Sequence, residues 1–150
     1  MAQTGASVAP AMSRELRNRR LIGAAVAIAC AAPLITGLLL TPATQGHGTH
    51  EQLGLPACGW LLVTGYPCAT CGMTTAVTLA AHGHLLQAFR VQPAGALFAV
   101  VLASGVWFGL HAMVAAISPK PLLDAITRPR TLWLVGAVLL AAWAYKIVTF

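Results

Sequence analysis

The chain has 150 residues, of which 8% are charged and 58% hydrophobic, with a mean hydropathy of +0.78. Soluble domains carry about 25% charged residues, so a water-covered surface is excluded; the low-cost solution leaves apolar side chains in lipid, where helices pair the backbone groups that have no water partner. The formal charge of +6 rests largely on Arg14, Arg17, Arg19 and Arg20, just before an apolar run; this is juxtamembrane charge rather than a nucleic-acid footprint.

The expected fold class is therefore an all-α integral membrane protein, with the lipid bilayer as its main partner and no nucleic acid. Seven Arg against two Lys, with many Ala, point to a bacterial source and so to the inner membrane. Residues 1–20 read as a disordered basic cytoplasmic tail, poor in large apolar groups, and 21–150 as a single membrane domain. From Leu21 to Leu40 there are 20 residues without a charge, enough at about 1.5 Å each to cross the hydrocarbon layer. A secretory signal peptide is the rival reading of this segment. The run exceeds an apolar region of about 7 to 15 residues, and Thr41 to Gln45 offer no clear cleavage site. Cys30, within the run, reads as a small packing residue.

Residues 41–52 form a polar loop with His47, His50 and Glu51, whose histidines read as solvated. The 29 residues from Leu53 to Ala81 are uncharged again, but Gly65 and Pro67 divide them into pieces too short to cross. A re-entrant or interfacial hairpin over about 53–90 is expected, closed by a short surface helix around Leu85, Leu86 and Phe89. The second span is predicted at 94–117, with His111 as its only ionisable group, and the third at 131–150 after a loop containing Lys120, Asp124, Arg128 and Arg130. Lys146 lies near the end of the third span, where its stem can reach the headgroups. The positive-inside rule puts the N-terminus and the 118–130 loop in the cytoplasm, and the cysteine hairpin and C-terminus outside.

The only cluster that could carry chemistry is Cys58-x9-Cys68-x2-Cys71, followed by Gly72, Met73, Thr74 and Thr75. Three readings follow. In the first, Cys58 pairs with Cys68 or Cys71 in a structural disulfide, or all three are buried, and the hairpin is a structural or partner-binding element. In the alternative, Cys58, Cys68, Cys71 and His82 bind zinc, since C-x2-C lets neighbouring thiolates close on one ion. In the third, Cys68 is a reactive thiolate at a helix N-terminus and Cys71 resolves it, as in a thiol-disulfide oxidoreductase. His82 and His84 otherwise read as interface positions, and Thr74, Thr75 and Thr78 can bond back to their own helix. With three acidic residues and no phosphate loop or Ser/His/Asp order, an enzyme is not expected.

At these residues the sequence resembles a family of small bacterial membrane proteins, the domain of unknown function numbered twenty-seven fifty-two. Its signature is a cysteine, a Thr-Gly turn, C-P-x-C-G-x-T-R-A, then a Gly, an Ala and an Asn/His-Pro pair. Cys58, Thr64-Gly65, Cys68, Cys71-Gly72, Thr74, Ala76, Gly83, Ala88 and Pro93 stand at matching places. Ala69 replaces the motif proline and Thr75 its arginine. The resemblance implies a multi-pass membrane protein without an established activity. The expected role is thus a non-catalytic structural or partner-binding membrane component.

Overall fold

The computed structural model describes residues 8–118 and 120–150, and among them the regular elements are all helices. Helix α1 spans Val8–Leu39, a 3-10 turn Thr49–Leu53, α2 Gly59–Thr64, α3 Met73–Ala81, α4 Leu85–Val91, α5 Pro93–Ala115, α6 Lys120–Ile126 and α7 Pro129–Thr149. Three stretches are long and apolar enough to cross a membrane: Met12–Leu39, Pro93–Ala115 and Pro129–Thr149.

Two expectations change. The segment expected as a disordered tail to residue 20 is helical from Val8, while residues 1–7 lie outside the described residues. The apolar run supplies the nucleus from which helix extends backward, and Arg19 Nε donates to Glu15 Oε1 at 3.1 Å one turn away. The loop after the second span likewise contains α6.

Helices α1 and α5 form the main antiparallel pair, and their contact is made by small residues. A Cβ added at Gly109 would lie 2.6 Å from Ala27 N, and one at Gly105 2.5 Å from Cys30 Sγ. Without side chains there, the two backbones approach closely enough for dispersion to hold them in lipid. Cys30 serves as the packing residue the sequence suggested.

Residues 40–92 form a cap over one end of this pair. A Cβ at Gly37 of α1 would sit 3.3 Å from Ala81 Cβ, and one at Gly95 of α5 2.8 Å from Ala76 Cβ, so α3 bridges the end of α1 and the start of α5. Ala76, Leu79, Ala88 and Ala96 form the buried centre of the cap, with Phe89 packed against it. The chain leaves and re-enters the pair at the same end, so the cysteine stretch adds no crossing.

Helix α7 reaches the same end with its C-terminal turns. Lys146 Nζ donates to Val91 O at 3.2 Å and Gly46 O at 3.4 Å, and Tyr145 Oη to Arg90 O at 3.0 Å. Lys146 was expected to reach the headgroups; it is instead only 6% exposed. The cap covers the end of α7, and backbone carbonyls take the place of headgroup and water oxygens.

Candidate functional site

Cys58 is the residue before α2, and Gly65 closes that helix by donating its N–H to Leu61 O at 2.9 Å, with φ 74°. The chain then returns through Tyr66 and Pro67. Two turns follow, Cys71 N–H to Cys68 O and Met73 N–H to Thr70 O, both at 3.0 Å, before α3 begins at Met73. Cys68 and Cys71 therefore lie in turns ahead of the helix. The helix N-terminus expected at Cys68 in the oxidoreductase reading is not formed there.

A different pair meets. Cys58 Sγ lies 3.5 Å from Cys68 Sγ, and Thr70 Oγ1 is 3.4 Å from Cys68 Sγ on the other side. Burial alone would raise the Cys68 pKa, but the Thr70 hydroxyl and the Cys58 thiol both hydrogen-bond to its sulfur and hold it below the usual thiol value. Cys71 behaves oppositely: it is buried, and burial followed by repulsion from the Cys68 thiolate pushes its thiol up. Of the three, Cys68 has the surroundings that most favour a thiolate, and Cys58 is the sulfur 3.5 Å from it.

The loop carrying these sulfurs is pinned from outside the motif. Trp143 Nε1 donates to Pro67 O at 3.1 Å and Gln92 Nε2 to Ala69 O at 3.2 Å. Gly72, at φ 84°, passes so near the polar loop that a Cβ would lie 2.6 Å from Gly46 O. Thr75 is fully buried with its hydroxyl 2.8 Å from that of Thr49. The sequence reading missed Gln92 and Thr49 as supports. Gln92 carried a usable signal, being an amide placed directly before Pro93 at the head of an uncharged run.

His82 follows the last residue of α3, with Nδ1 2.9 Å from Thr78 O. A carbonyl oxygen only accepts, so Nδ1 donates and the ring closes the helix end. Along α3 it lies about 13 Å from the cysteine turns, at about 1.5 Å per residue. Among the described residues, no group of three or more His, Cys, Asp or Glu is placed to hold a metal ion. His47 packs on Phe150 with ring centroids 5.3 Å apart, and His111 Nδ1 lies 3.0 Å from Trp107 O within α5. His50 is nearer the chemistry: its Nε2 is 3.1 Å from Pro56 O, and it shares a cavity wall with the sulfurs.

That cavity has a volume of about 720 Å³ and is lined by all three cap cysteines together with Pro33, Thr78 and Phe98 among others. It lies between the cap end of α1, α3 and the first turns of α5. Its chemistry is a dithiol at the side of an apolar chamber, able to pass between two thiols and one disulfide by a shift of about 1.5 Å between sulfurs.

No curated protein and no solved structure matches the chain. Residues 58–106, which run from the first cap cysteine into α5, match the family described as "Protein of unknown function (DUF2752)", the family that the cysteine signature resembles.

Proposed function

We propose that the chain is a multi-pass component of the bacterial inner membrane whose extracytoplasmic cap is closed by a Cys58–Cys68 disulfide, and that its role is structural or partner-binding. The observation that carries this reading is the 3.5 Å contact between the two sulfurs at the base of the α2 loop. A link there would fix the loop whose tip is uncharged and open, with Leu62 75% and Val63 87% exposed. Trp60 and Tyr66, also exposed, suit the water-lipid interface. The zinc alternative has its proposed thiols along one cavity but His82 at the far end of α3, so the disulfide accounts for more of the arrangement.

Thiol-disulfide exchange is the second reading, favoured by the lowered pKa of Cys68. The two share one test. Membranes from intact cells are treated with an alkylating reagent before and after reduction, and the cysteines are mapped by mass spectrometry. Cys58 and Cys68 should be joined and become alkylated only after reduction, with Cys71 free. A Cys68–Cys71 link, or Cys58 and Cys68 always free, would reject the assignment.

A further inference from the structure

The geometry points to a membrane-dissolved quinone as the two-electron oxidant of the Cys58–Cys68 dithiol, bound in the cavity between α1, α3 and α5. This rests on the reading of Cys58 and Cys68 as a disulfide-forming pair, and adds what the pair reacts with.

Three observations converge. The cavity, at about 720 Å³, is of a size that holds small cofactors, and its walls are mainly apolar, including Pro33, Leu40, Val77 and Phe98. The ring of an oxidant placed there would lie against the wall that carries Cys58 and Cys68. A lipid acyl chain would fill the space but offers no chemistry to the sulfurs. A water-borne oxidant needs no apolar chamber. Ala32 and Phe98 are wall residues that also face outward from the helices, which gives a route from the bilayer.

The step balances without another reactant. The Cys68 thiolate adds to a ring carbon of the quinone, forming a C–S bond. Cys58 then attacks Cys68 Sγ; the S–S bond forms, the C–S bond breaks and its electron pair passes to the ring. The two protons, one from each thiol, end on the two ring oxygens. Two thiols are oxidised to one disulfide, and the quinone is reduced to a hydroquinone.

The test uses the full chain, reduced and purified in detergent without air, mixed with a decyl-substituted benzoquinone. One hydroquinone should form per protein, read by ultraviolet absorbance, together with a Cys58–Cys68 link found by mass spectrometry. Ala32→Phe, which fills the cavity, should slow this reaction at least tenfold, and Phe98→Ala, which removes an accessible apolar wall, severalfold. Closure of the same disulfide by the small oxidant diamide shows that each variant is folded; if Ala32→Phe is not, Phe98→Ala carries the comparison. Equal quinone rates in wild type and the folded variants would overturn the cavity assignment. A wild-type disulfide that closes with diamide but not with the quinone would overturn the oxidant and leave the pairing intact. No Cys58–Cys68 link with either reagent would sink the pairing itself.

Discussion

Cys68 differs from Cys71 in what surrounds its sulfur, although three positions separate them in the chain. Side-chain hydrogen bonds from Thr70 and Cys58, with backbone N–H groups behind them, favour the Cys68 thiolate, whereas Cys71 is buried and faces a like charge. In reduced protein, Cys68 should therefore alkylate with a pH midpoint below that of a free thiol, because its thiolate persists as pH falls past the ordinary value. Cys71 should lag, since its thiolate appears only above that value. Thr70→Val removes one of the two side-chain hydrogen bonds that stabilise the thiolate, so it should move the Cys68 midpoint upward and slow labelling at pH 7 severalfold. A mass-resolved alkylation series over pH checks both, and an unchanged midpoint in Thr70→Val would contradict the assigned cause. The spacing of the cysteines told which residues matter but not which two meet. C-x2-C suggests a local pair, and only the reversal at Gly65 and Pro67 brings the more distant Cys58 to Cys68.

Among the helices, the pairing of α1 with α5 depends on the absence of side chains at Gly105 and Gly109. Gly109→Leu would drive a side chain into the backbone at Ala27, and should cost about 1–3 kcal/mol of stability, as overpacking does. Gly136 of α7 meets nothing within 4 Å, so Gly136→Ala should be neutral or slightly stabilising, by up to about 1 kcal/mol. Thermal unfolding in detergent distinguishes the two. Helix α7 is held differently, by polar side chains gathered near its end. Trp143→Phe keeps the ring but loses the bond to Pro67 O, and should cost about 0.5–1.5 kcal/mol, again read by thermal unfolding. The three spans were legible because uncharged runs of this length have few other solutions. The seat of Lys146 was not. A lysine near a helix end reads as snorkelling unless one knows that residues 40–92 fold back over that end, which depends on contacts between Lys146 and residues 55 and 100 positions earlier.

For the molecule as a whole, the geometry sharpens the question of orientation. The cap, the end of α1, the start of α5 and the end of α7 share one side, so the opposite side receives the start of α1 and the connection between α5 and α7. Of nine basic residues, the opposite side therefore takes Arg14, Arg17, Arg19, Arg20, Lys120, Arg128 and Arg130, and the cap side only Arg90 and Lys146. Such an asymmetry favours the basic side in the cytoplasm. That proposed orientation would also set the cysteines where disulfides persist, so it would account for both the charge and the proposed link. Alkaline phosphatase, active only outside, should be active when fused after Phe150 and inactive when fused after Ile126; a fluorescent protein that matures only in the cytoplasm should give the reverse. The inverted pattern would place the dithiol in a reducing compartment and remove the basis for a persistent disulfide, whereas equal signals at both sites would mean that α7 does not cross.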